Sequence, residues 1–109
     1  MEKLTEKKCV PCEGGMPSFN KEQTQEYLGQ LSSVWEVKDD RKITKKFKFK
    51  DFKEAIAFVS KVADLAEQEG HHPDIRVFGY KNVEIELSTH AISGLSENDF
   101  ILASKIELL

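Results

Sequence analysis

The clearest periodicity in the chain runs from Phe52 to Ala66. There Phe52, Ala55, Ile56, Val59, Val62, Ala63 and Ala66 recur at the i, i+3, i+4, i+7 spacing of one helical face, with Phe58 on the border of the stripe. Asp51 followed by Glu54 resembles a capping box, the Asp standing in for Ser or Thr. Gly70 supplies the stop, because glycine accepts the positive φ of a helix C-terminus. On either side of this helix the period drops to two. Trp35 and Val37 alternate before Asp39-Asp40, and Ile43, Phe47 and Phe49 alternate after it, the pattern of a hairpin with one buried face. Beyond His71-His72-Pro73, a short extended piece near Arg76–Phe78 leads to Val83, Ile85 and Leu87, which alternate with Glu84, Glu86 and Ser88. That alternation predicts a half-buried strand showing its carboxylates to solvent.

Two further helices flank these elements. Asn20 (or Ser18) caps one that runs to about Leu31, with Tyr27, Leu28 and Leu31 on one side. Ser96, with Asp99 at the third helical position, caps the last, whose apolar side is Phe100, Ala103 and Ile106, with Ile101 and Leu102 adding to it. Residues 1–17 contain Pro11, Gly14, Gly15 and Pro17 and read as an irregular lead-in, leaving 18–109 as a single domain. The predicted order is α-β-β-α-β-β-α. Two hairpins separated by a long helix favour an antiparallel sheet with helices packed on one face, an α+β fold.

Composition narrows the function more than the fold. The length of 109 residues suits one compact domain, and 39% apolar residues suffice for one core. A net charge of −3 provides no general drive toward nucleic acid or an anionic membrane. Basic residues interleave with aromatics from Lys42 to Lys53, a nucleic-acid-like pattern that an ordinary amphipathic strand also produces. No apolar run approaches the roughly 20 residues that cross a bilayer, and MEKLTEKK lacks the apolar stretch of a secretory signal. The expectation is a cytoplasmic protein. Cys9 and Cys12 form a C-x-x-C, but structural zinc usually takes four ligands, and a redox pair is expected beside a βαβ pattern. Incidental thiols are the first reading; a metal or disulfide shared across an oligomer, and redox catalysis, are the alternatives.

The candidate chemistry lies in the three histidines. His71 and His72 follow the long helix, and His90 sits just past the strand ending at Ser88. A hairpin turning near 79–82 brings its outer ends, and so His72 and His90, near one another. Three imidazoles titrating near neutrality offer both acid and base forms. A surface or satisfied core role is the plain alternative for each. A zinc site of three histidines is the sharper one, although adjacent histidines chelate less well than pairs at i, i+2 or i, i+4. Glu67 lies one helical turn before His71, within reach of the same end, or is simply a solvated helix residue. Asp74 and Asp99 could also orient an imidazole, and Asp99 has a separate explanation in the helix cap.

The run Glu67-Gln-Glu-Gly-His71-His72-Pro73, then Tyr80, Ser88-Thr89-His90, Gly94-Leu95-Ser96 and Asp99, resembles the pterin-4a-carbinolamine dehydratase family. Trp35, the Phe47–Phe52 segment and the opening C-x-x-C-x-G-G extend the resemblance over nearly the whole chain. Ile75 departs from it, since some members carry an aromatic shortly after His-His-Pro, and the turn before Tyr80 is slightly longer than in some relatives.

The resemblance implies a four-stranded antiparallel sheet with helices on one side. It also implies a lyase that converts 4a-hydroxytetrahydropterin to quinonoid dihydropterin, recycling the cofactor spent by an aromatic amino-acid hydroxylase. His71 and His90 are then the acid/base candidates and His72 a substrate-binding, electrostatic residue within the same catalytic group. Glu67, Pro73, Ser88, Thr89, Ala91 and Ile92 would contact substrate, with Asp99 in support. No cofactor and no metal are expected. The expected partners are a small pterin and further copies of the chain, as homodimer or homotetramer, with no nucleic acid and no membrane. An uncovered sheet edge is a plausible place for that association. Some members also serve as dimerisation cofactors of a transcription factor, so an interaction protein is the rival reading; a different pterin on the same fold, such as one of molybdenum-cofactor metabolism, is a third.

Overall fold

The computed structural model describes residues 4–9 and 17–109. A 3-10 turn at Leu4–Glu6 comes first, then α1 (Lys21–Leu28), β1 (Glu36–Lys38), β2 (Lys42–Lys48), α2 (Phe52–Glu69), β3 (Asp74–Phe78), β4 (Asn82–Leu87), a 3-10 turn at His90–Ile92, and α3 (Glu97–Ile106). The four strands form one antiparallel sheet in the order β1-β2-β4-β3. The expected element order and the α+β class are those observed.

The local reasons for the elements are those written in the chain. The Asn20 side chain accepts from the Gln23 amide at 2.8 Å while Gln23 reaches back to the Asn20 amide, so α1 begins at a complete capping box. At the start of α2, Asp51 accepts from the Glu54 amide at 2.9 Å, but Glu54 turns to the amide of Lys50 instead of closing the box. The β1–β2 turn places Asp39 and Asp40 at φ 55° and 54°, a left-handed pair whose twist matches a tight hairpin. Gly70 ends α2 at φ 67°, as its position predicts.

Register decides the two faces of the sheet. Ile43, Val83, Ile85 and Leu87 point inward and are fully buried with Phe100 and Leu102 of α3. The opposite face carries Lys42–Glu86, Lys38–Glu84 and Arg76–Glu84 ion pairs. The helices supply the cover for the apolar face, as an amphipathic sheet requires.

The buried stripe of α2 differs from its sequence pattern. Ala55, Phe58, Val62 and Ala66 are buried, whereas Phe52 and Ile56 are 53% and 40% exposed and Ala63 is exposed too. Phe58 packs its ring 4.8 Å from Phe47 and 5.0 Å from Phe49. Those sheet aromatics turn the helix so that Phe58, at the border of the periodic stripe, becomes its centre. The segment before residue 10 also joins the core, through Leu4 and Cys9. Cys12 lies outside the described residues.

Candidate active site

Three chain segments meet at one buried carboxylate. Gly70 lets the chain leave α2 sharply, and the His71 amide still bonds the Ala66 carbonyl at 3.3 Å, which fixes where the imidazole begins. His71 Nε2 lies 2.6 Å from Asp99 Oδ1. Asp99 is fully buried in the first turn of α3, where the helix amides favour a negative group. Its Oδ2 accepts from the Thr89 hydroxyl at 2.8 Å and from the Ser96 amide at 3.0 Å. Thr89 Oγ1 is also 2.8 Å from Ser96 Oγ. The end of α2, the end of β4 and the start of α3 are thereby tied through Asp99.

This arrangement has a tautomeric consequence. Asp99 Oδ2 already receives two donors, and an ionised carboxylate is acceptor-only. The short contact to Oδ1 is therefore a donation from His71 Nε2–H, and a neutral His71 keeps its lone pair on Nδ1. The ring is only 12% exposed, so its orientation is held on several sides.

His72 faces differently. Its Nε2 is 2.7 Å from Glu67 Oε2, with the two side chains 63% and 76% exposed. Glu67 thus reaches the second histidine of the pair, not the first. His90 opens the 3-10 turn after β4 and is exposed. Its loop is closed by the Thr89 amide donating to the Gly94 carbonyl at 2.7 Å. A cavity of about 200 Å³ adjoins it, lined by Ser88, Thr89, His90 and Ser93 from this connection and by Arg41 and Lys42 from the first hairpin. Ala91 and Ile92 lie in the same 3-10 turn, exposed and half-buried, and Pro73 is half-buried just before β3. A cavity of about 440 Å³ lies elsewhere, between α1 and the β1–β2 turn, with no histidine in its wall. The chemistry favours the smaller one.

The sequence pattern did not point to Arg41, Lys42 or the Ser96 hydroxyl as neighbours of this site. The Ile43↔Leu87 register puts Lys42 beside Ser88, and no local pattern reports which strands pair. Among the described residues, no three His, Cys, Asp or Glu groups are placed to hold a metal ion. Cys9 is buried, and that burial, reinforced by nearby Glu69, pushes its thiol up to about 12, so it is not a thiolate near neutrality.

The family described as Pterin 4 alpha carbinolamine dehydratase matches residues 17–109. Among curated relatives carrying that designation provisionally, a Nitrosomonas eutropha protein is 48% identical over 97% of this chain and 92% of its own length. One from Rickettsia canadensis is 49% identical over 98% of this chain and 97% of its own. A solved structure described as a transcriptional coactivator/pterin dehydratase from Brucella melitensis shares 35% identity at a TM-score of 0.75, covering 84% of this chain and 96% of that one.

Proposed function

We propose that this chain, which belongs to the pterin-4a-carbinolamine dehydratase family, removes water from a 4a-hydroxytetrahydropterin by histidine acid–base catalysis. The observation that carries the mechanism is the His71–Asp99–Thr89 chain of hydrogen bonds at the family's His-His-Pro and Thr-His positions. In the reaction the C4a–O bond breaks, the N5 lone pair forms the new double bond, and a proton leaves the ring. Hydroxide is a poor leaving group, so one imidazole protonates it as water and another group takes the ring proton. His71, with Nε2 committed to Asp99, works through Nδ1. His90, on the exposed 3-10 turn, is the partner of opposite role, and His72 with Glu67 forms a polar rim that binds the pterin. Ser88, Thr89, Pro73, Ala91 and Ile92 shape the remaining wall.

Carbinolamine dehydration needs only proton transfers, so the proposal includes no metal and no cofactor. It places the chain in the cytoplasm as a homodimer or homotetramer, recycling pterin for an aromatic amino-acid hydroxylase. The second reading is an interaction protein, favoured by the exposed Phe52, Ile56 and Ala63 on α2 and by the word coactivator in the description of the Brucella neighbour.

The test is the ultraviolet absorbance of freshly generated 4a-hydroxytetrahydropterin with wild type, with added chelator, and with His71→Ala, His90→Ala and the double variant. Each single replacement should lower turnover on the order of 10²-fold or more, and His72→Ala should raise KM more than it lowers kcat. Acceleration that survives chelation and disappears in the double variant supports the proposal. Unchanged turnover in the double variant rules out the mechanism, and no acceleration by folded wild type moves the reading to the interaction protein.

A further inference from the structure

The cavity beside His90 has a charge character at odds with the rest of the molecule. Although the chain carries a net charge of −3, no carboxylate among the described residues lines this cavity. Arg41 and Lys42 stand on one wall, and Ser88, His90 and Ser93 with backbone of the Thr89–Gly94 loop stand on the other. The backbone builds the two walls independently. Asp39 and Asp40 in left-handed conformation reverse the first hairpin so that Arg41 and Lys42 follow at its far end. Ser93, also left-handed at φ 52°, and the Thr89–Gly94 bridge fold the second wall toward them.

Of the neighbouring acids, neither Asp40 nor Glu86 is among the residues that line this cavity. Asp40 lines the cavity against α1, on the other side of the hairpin turn. Glu86 is held by Lys42 at 3.1 Å on the outer sheet face, which leaves Lys42 partly neutralised. The Arg41 guanidinium has no ion-pair partner among the described residues and is the principal positive charge at the mouth. A guanidinium presents a fork of donors that matches a phosphate or carboxylate edge to edge. Hydroxyls of Ser88 and Ser93 on the facing wall add neutral donors to the same space.

We propose that this cavity receives an anionic group on the side chain of the pterin, a phosphate ester or a carboxylate, with Arg41 as its main contact. The inference rests on the dehydratase reading for the pterin itself and adds the substrate class: reduced pterins with a negatively charged tail over those with a neutral one. Thr89 and His90 belong both to the catalytic wall and to the cavity, so a pterin ring at the histidines projects a short tail into it.

The deciding experiment is equilibrium binding to the full chain at low salt, read by pterin fluorescence, with 6-hydroxymethylpterin, its phosphate monoester and pterin-6-carboxylate. At least one anionic probe should bind about tenfold or more tightly than the neutral alcohol. Arg41→Gln should remove most of that preference, and 0.5 M salt should weaken it. Comparison of the two anionic arms assigns the charge to phosphate or carboxylate. Equal affinity for all three probes, a preference that survives Arg41→Gln, or no binding of any probe overturns the inference. The same samples assayed for dehydration separate the two claims. Turnover without anion preference leaves the dehydratase intact and removes this site; Arg41-dependent preference without turnover does the reverse.

Discussion

Asp99 carries the most information of any residue in the structure. A fully buried carboxylate is costly unless its oxygens are satisfied, and here His71, Thr89 and the Ser96 amide satisfy them. Asp99→Asn keeps the shape but reverses the polarity of one oxygen. The Asn oxygen would serve Thr89 and Ser96, and its NH2 would then face His71 Nε2, forcing the ring proton onto Nδ1. Turnover should fall by roughly 10²–10⁴-fold, the scale seen when an orienting carboxylate is replaced and its histidine adopts the wrong tautomer. Imidazole nitrogen-15 shifts provide the independent check: in wild type the His71 proton should sit on Nε2, and in the variant on Nδ1. An unchanged His71 spectrum would contradict the tautomer assignment. The sequence placed Asp99 both in the helix cap and among possible histidine partners, and one carboxylate does both.

At the scale of elements, the ends of helices fix the site more than their middles. Gly70 has φ 67° with nothing within 4 Å of an added Cβ, so Gly70→Ala meets only the backbone penalty of the left-handed region. A loss of about 1–2 kcal/mol is expected in urea unfolding. Gly94 is different, because an added Cβ would sit 2.6 Å from the Ser18 Cβ, and the chain before α1 would have to move. Gly94→Ala should therefore cost more stability than Gly70→Ala, and a smaller cost measured in the same unfolding series would refute the packing argument. Gly70 was legible as a break, but only the fold shows that its surroundings are open and those of Gly94 crowded. The α2 stripe shows the same limit from the apolar side. Periodicity marked Phe52, Ile56 and Ala63 as well as the true core positions, because a helix with more than one apolar face has no unique orientation until the Phe47 and Phe49 rings select one.

Over the whole molecule, three carboxylates bind α3 to its surroundings. For Glu97, the Lys7 ammonium is the main influence and lowers the pKa against opposing burial, with Tyr27 adding a second donor. For Glu69 and Glu107, burial opposes ionisation, but the donors outweigh it and the net pKa is lowered. Those donors are Lys105 and the Cys9 amide on Glu69, and Ser32, Ser33 and Trp35 on Glu107. A folded-state pKa below the unfolded one means the contribution is fully present above the unfolded value, near pH 4.5, and is lost as pH falls through the depressed folded value. Chemical denaturation should therefore show stability flat in these groups from pH 7 to about 5 and falling below about 4.5. Replacing Glu69, Glu97 and Glu107 together by Gln should flatten that acid limb; an unaltered acid limb would show that these carboxylates do not set it.

The sequence by itself determined the element order, the caps at Asp51 and Ser96, a first cap narrowed to Asn20 or Ser18, the break at Gly70, and the inward set Ile43, Val83, Ile85 and Leu87. These are local properties: a period, a hydrogen-bonding side chain or a permitted φ acts over a few residues. It also singled out His71, His72 and His90, since few residue types move protons near neutrality, and Glu67, Asp74 and Asp99 as carboxylates able to orient an imidazole. Tertiary structure decided what those residues touch. It assigned Asp99 to His71 and Glu67 to His72, brought Arg41 and Lys42 beside His90, chose the buried face of α2, and drew Leu4 and Cys9 into the core. Each depends on strand register or on packing between segments far apart in the chain, where the energy lies in contacts that no local pattern encodes.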